Sequence, residues 1–171
     1  LIEWILGYDR EDDGPHRFFA DPLHTRPVVV TYGGHPDDPD NPPDDTVYIM
    51  TNDGTFRAID ASSGDELFAF IPRELLPNQL LYFANDPDGN KVYGLDGSMT
   101  AWRRESGDPD RDIEPADGDH VYLYFGMRRG GRNLYGLDVT DRDNPVLKWV
   151  VYGGSDGFEN LGETWSAPQR S

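Results

Sequence analysis

Short apolar runs of four to seven residues alternate with turns rich in Gly, Asp, Asn and Pro along most of this chain. The clearest stretch is 47–70, VYIMTNDGTFRAIDASSGDELFAF. Its apolar runs predict strands over 47–50, 55–60 and 66–70. Asn52-Asp53-Gly54 and Ser62-Ser63-Gly64 supply the turns, because Gly tolerates the positive φ that tight hairpins need. Strands are also predicted over 24–32, with Pro27 near the start where a missing N–H is tolerable, and over 91–102. Three more are expected over 121–127, 133–138 and 146–152. Helix is expected over 1–6, ending at Gly7, and over 72–83, interrupted by Pro77. The segments 9–15, 33–45, 86–90 and 103–119 read as polar surface loops.

The stretch repeats. Val47-Tyr48 aligns with Val121-Tyr122, and Leu67–Phe70 with Leu147–Val150. Asp60 aligns with Asp138, 138 − 60 = 78 residues later. Such a period is the mark of a repeat architecture whose units bury their faces against one another. The predicted class is all-β: a partial β-propeller of about two four-stranded blades plus the start of a third, with short helical insertions. The first blade and its helical insertion take about 24–83, the second about 91–152, and the third opens at 164–171. Two blades cannot close a ring. The remaining blades are expected from further sequence or from another chain, and a chain that starts at Leu1 reads as an interior piece of something longer.

With hydrophobic content at 36% and mean hydropathy at −0.69, aromatic side chains must supply much of the core. Net charge is −17, which disfavours nucleic acid and anionic membrane surfaces as partners. The chain has no cysteine, so disulfides, thiolate metal sites and cysteine nucleophiles are excluded. No apolar run reaches the ~18 residues of a membrane span.

Chemistry is sparse. Ca²⁺ takes six to eight oxygens, supplied by alternate residues of a curled loop. Ser106, Asp108, Asp110, Asp112, Glu114 and Asp117 fall at relative positions 1, 3, 5, 7, 9 and 12, with Ile113 at the aliphatic position 8. Ser at the first position, Arg111 in place of Gly and the stiff Pro109 depart from that pattern. Asp86-Pro87-Asp88-Gly89-Asn90 alternates oxygens too, but Asp-Gly is an ordinary turn. His24 reads as a structural hydrogen-bonding residue, and His16, His35 and His120 as loop residues. There is no G-x-S-x-G nucleophile elbow and no phosphate-binding Gly loop leading into a helix. Arg128, Arg129 and Arg132 form the one basic cluster, read as arginines lying over tyrosines at a hairpin turn, or as a contact to acidic groups. Trp102, Trp149 and Trp165 are expected to pack blade against blade.

The strings HTRPVVVTYGG, TNDGTFRAIDASSGDELFAFIPRELLPN, YGLDGSMTAW, VYLYFGMRRGGRNLYGLDVTDRDNPVLKWV and LGETWSAPQ together resemble the C-terminal β-propeller of the PilY/PilC type IV pilus proteins. That resemblance implies a non-enzymatic module at the pilus tip or cell surface, exported through the periplasm. It implies support of pilus assembly, twitching motility and adhesion. Minor pilins or other pilus-tip proteins, and host or abiotic surfaces, are the implied partners, with Ca²⁺ in an Asp-rich loop. Two other readings stand beside it. DGTFRAIDASSGDELF resembles the propeller repeat of quinoprotein dehydrogenases, which would require pyrroloquinoline quinone over a Trp and a calcium beside a catalytic Asp. A propeller that only scaffolds protein partners is the third.

Overall fold

The hairpin glycines place the first sheet. In the computed structural model, which describes residues 1–8, 19–84, 86, 88–105 and 112–169, Gly54 and Gly64 adopt φ of 84° and 80°. They turn β2 (Asp45–Met50) into β3 (Phe56–Asp60) and β3 into β4 (Glu66–Phe70). With β1 (Val28–Thr31) they form an antiparallel sheet of order β1-β2-β3-β4. A second sheet, β5-β6-β7-β8, repeats it with Met99–Arg104, His120–Gly126, Leu134–Asp138 and Val146–Val151.

The 78-residue repeat is physical as well as sequential. Register shifts occur at Ala58/Ile59 in the first sheet and at Gly136/Leu137 in the second. Asp60 then accepts hydrogen bonds from Ser62 N and Oγ, as Asp138 does from Thr140 N and Oγ1. Each carboxylate thus caps the turn that follows its strand.

Period-two alternation sends one face of each sheet into a shared core. Tyr48, Met50, Phe56 and Ala58 lie on the inner face of the first sheet, and Leu123, Phe125, Tyr135 and Leu137 on that of the second. The rings of Phe56 and Phe125 stack at 5.2 Å. Tyr32 OH donates to Val139 O at 2.6 Å, so its 2.6 Å contact with Tyr48 uses the Tyr48 proton. Burial, together with this contact, raises the Tyr32 phenol far above its usual value, and burial pushes Tyr48 up to about 12. Outside the core, Arg142 grips Asp44 with two bonds of 2.7 Å, reaches Thr46 Oγ1 at 3.1 Å and lies over the Tyr32 ring.

Four expectations need correction. His120, read as a loop residue, is the first residue of β6 and pairs with Arg104. The strand expected over 91–102 begins only at Met99, since residues 91–98 run as irregular chain between the two sheets. The one expected over 24–32 shortens to Val28–Thr31, beyond Pro27. The tryptophans do not fill the space between the sheets. Trp102 is half-buried, while Trp149 and Trp165 are 42% and 50% exposed. Trp102 lies tilted against Tyr122, and Trp149 stacks on Tyr124, on the outer face of the second sheet. Trp102 pairs with Tyr122, and Trp149 with Gly136, which in turn pairs with Tyr124, so both tryptophans share the outward parity of 122 and 124 while 123 and 125 face the core.

The helical expectations hold. The short helix α1 (Ile2–Ile5) sets Trp4 edge-on to Phe83 of α2 (Gln79–Ala84). Pro77 lies in a 3-10 helix, Arg73–Asn78, which leads into α2. This insertion caps the β2–β3 turn: buried Gln79 donates to Asp53 O at 2.8 Å, and Glu74 accepts from Tyr135 OH of the second sheet. The two sheets form no closed ring.

Candidate functional site

Residues 93–98 thread between the hairpin tips of the two sheets, and glycines permit it. A Cβ on Gly94 would sit 2.4 Å from Gly54 N, and one on Gly130 would sit 1.6 Å from Gly94 O. Backbone therefore touches backbone from the β2–β3 turn to the β6–β7 turn. Leu95 N donates to Thr51 O, and Asp96 N to Met127 O.

This path buries Asp96, 1% exposed, among three polar partners from separate parts of the chain. His24 Nδ1 lies 2.9 Å from both carboxylate oxygens, Asn52 Nδ2 donates at 3.2 Å, and Arg128 Nη1 donates at 3.3 Å. A carboxylate accepts only, so His24 carries its proton on Nδ1. A buried charge is tolerable only when paired and hydrogen-bonded, and here both sheets and the segment before β1 supply the pairing.

Above Asp96 opens a cavity of about 420 Å³ lined by His24, Arg26, Ser98, Met99, Arg128, Trp165 and Ala167. Thr164 builds its wall. The Oγ1 of this buried threonine accepts from Met127 N at 2.8 Å and Arg128 N at 3.3 Å, and donates to Asn133 O. Arg128, at φ 51°, is then laid 4.7 Å from the centre of the Trp165 ring. Arg129 stacks on Trp165 and Tyr93 and donates to Tyr93 OH at 2.8 Å, as an arginine over tyrosine should. His24 is structural as expected, but its carboxylate partner lies 72 residues away and sequence spacing could not supply it. The His24–Asp96 pair could orient an imidazole for proton transfer, yet Ser98 makes no hydrogen bond to it among the described residues.

The calcium candidates are placed only in part. Ser106, Asp108 and Asp110 lie outside the described residues. Asp112 Oδ1 accepts from Gly34 N at 3.1 Å, Glu114 N donates to Asp119 Oδ2, and Asp117 ends the 3-10 turn Pro115–Asp117. Ile113 packs against the core and donates its N–H to Tyr32 O, which anchors the end of the loop. Among the described residues no three His, Cys, Asp or Glu side chains cluster as a metal site. At 86–90, Asp86 simply closes its own turn, accepting from Asp88 N and Gly89 N.

No protein-family model matches the chain. A type IV pilus biogenesis factor PilY1 homologue of Xylella fastidiosa is 37% identical over 123 residues, which is 71% of this chain and 9% of that protein. The chain belongs to the PilY1-type family. PilY1 of Pseudomonas aeruginosa PAO1 is 31% identical over 123 residues, covering 71% of this chain and 10% of that protein. PilY1 of strain UCBPP-PA14 is 27% identical over 98% of this chain and 15% of its own length. The chain thus spans about a tenth of the PilY1 relatives it matches. The crystal structure of the P. aeruginosa PilY1 C-terminal domain aligns with a TM-score of 0.49 at 28% identity, covering 74% of this chain and 21% of that one. Among the described residues of this PilY1-type chain, no helix is long and apolar enough to cross a membrane.

Proposed function

We propose that the chain is a non-enzymatic, structural and binding piece of a type IV pilus biogenesis protein. The observation that carries this is the 37% identity to the PilY1 homologue, which runs over most of this chain. Its two sheets act as adjacent blades of a propeller, over about 24–83 and 91–152, with residues 164–171 leading into a third. The outer face of the second sheet, bearing Trp102, Tyr122, Tyr124 and Trp149, supports this reading, since a blade needs a neighbour on each side. Minor pilins or other tip proteins are the partners. Pilus assembly, twitching and surface adhesion at the pilus tip are the processes served. Ca²⁺ held by Ser106, Asp108, Asp110, Asp112, Glu114 and Asp117 belongs to the same proposal, on the oxygen spacing.

The test is a graft. This chain replaces the matched region of the Xylella relative in a strain lacking that protein, and sheared surface pili are quantified. Restored piliation that is lost with Phe125→Ala supports the proposal. A graft that is folded and exported yet leaves the strain bald refutes it. Calorimetric titration of the chain with Ca²⁺ alone tests the metal: heat that disappears in Asp108→Asn supports it, and no heat at millimolar Ca²⁺ refutes it.

A further inference from the structure

The cavity above Asp96 carries a sign opposite to the rest of the chain. Net charge is −17 overall, yet Arg26 and Arg128 line this one opening, with His24 beside them and Arg129 stacked on its Trp165 wall. The carboxylate beneath them is Asp96, whose oxygens are taken up by His24, Asn52 and Arg128. Arg26 is exposed and has no hydrogen-bond or ion-pair partner among the described residues. Among the permanently charged groups at the opening, Arg26 and Arg128 against Asp96 leave 2 − 1 = +1.

We infer that this cavity binds the carboxylate of an acidic peptide, with Arg26 and Arg128 as the cationic clamp and Trp165 as the apolar shelf. Three observations support it. First, Arg128 is set before any ligand arrives: its N–H is on Thr164, its guanidinium is on Asp96, and the guanidinium carbon lies over Trp165. A guanidinium already fixed loses little freedom on binding. Its left-handed backbone, at φ 51°, is a cost that Arg, unlike Gly, must bear to stand there. Second, Met99, Ala167 and the Trp165 ring provide an apolar surface next to the charge, and about 420 Å³ accommodates one or two residues of a peptide. Third, a carboxylate carries one negative charge and matches the +1 of the opening. A phosphate carries nearly two and would leave charge uncompensated beside buried Asp96.

This inference stands independently of the pilus reading. It is tested by NMR titration of the chain, following the Trp165 indole N–H, assigned with Trp165→Phe. The probes are an acetylated, amidated peptide with one Glu, a blocked peptide ending in a free carboxylate, the same peptides with that carboxylate amidated, and inorganic phosphate. Expected is saturable binding of one or both carboxylate peptides, whichever source the site prefers. The amidated peptides should not bind. Arg26→Ala should weaken affinity about tenfold or more, since a charge-assisted hydrogen bond is removed. Arg26→Lys should keep part of it, and both variants should retain the melting temperature because Arg26 is exposed and has no hydrogen-bond or ion-pair partner among the described residues. No shift at millimolar peptide, an affinity unchanged by Arg26→Ala, or tighter binding of phosphate than of either peptide would each overturn it.

Discussion

Replacing Phe125 by Ala tests whether these two sheets share one core. Phe125 is fully buried, with its ring 5.2 Å from Phe56 of the other sheet and 5.1 Å from Tyr135 of its own. Truncating a Phe so enclosed costs about 3–5 kcal/mol, the lost transfer energy plus the cavity left behind. Stacking across the sheets adds about 0.5–1.5 kcal/mol that should appear as coupling between Phe56 and Phe125 in a double-mutant cycle. The control is its neighbour Tyr124, on the opposite face against Trp149. Tyr124→Ala should cost about 1 kcal/mol, within the usual range for a half-buried site. Urea unfolding followed by far-UV circular dichroism measures all four variants. Equal losses for Phe125→Ala and Tyr124→Ala, or no coupling to Phe56, would show that the inward parity described here is wrong.

Other outcomes follow from the same geometry. Arg142→Lys keeps the charge but loses the two-pronged grip on Asp44, and should cost about 1 kcal/mol in urea denaturation. Gly130→Ala drives a methyl into the Gly94 carbonyl and should lower stability by more than about 3 kcal/mol, or prevent folding. Gly64→Ala, at positive φ but with open space around it, should cost only about 1–2 kcal/mol in the same assay. The Ser62 hydroxyl and the Ser63 and Ser62 N–H groups hold the Asp60 carboxyl down at about 2, against an ordinary 3.8. Its folded value lies below its unfolded one, so its contribution is full above about pH 4 and fades as pH falls toward 2. Asp60→Asn should therefore flatten the acid limb of stability measured from pH 5 to 2, and an unchanged limb would refute this.

The strands could be read from the chain because their turns announce themselves locally. Gly54, Gly64 and the Asp60 and Asp138 caps act within four residues of where they stand. The tetrapeptide Tyr-Gly-Leu-Asp shows where local reading ends. It occurs at 93–96 and again at 135–138. The second copy is strand β7; the first is irregular chain wedged between two turns. The difference lies in what surrounds each copy, Gly54 and Gly130 in one case and paired strands in the other. Asp96 was hidden for the same reason, since His24, Asn52 and Arg128 meet it only once both sheets have formed. The arginine cluster was visible as a cluster, but Trp165 and Arg26 join it from 33 and more residues away.

The contact among Gly54, Gly94 and Gly130 bears on how such sheets can be multiplied. Where side chains separate two layers, substitution can retune the gap by a methylene at a time. Here the separation is set by peptide groups in van der Waals touch, a length that no ordinary substitution can shorten. A sequence that copied the three glycines into its next repeat would copy the pitch between layers with them, and the spacing would be gauged by the polypeptide itself.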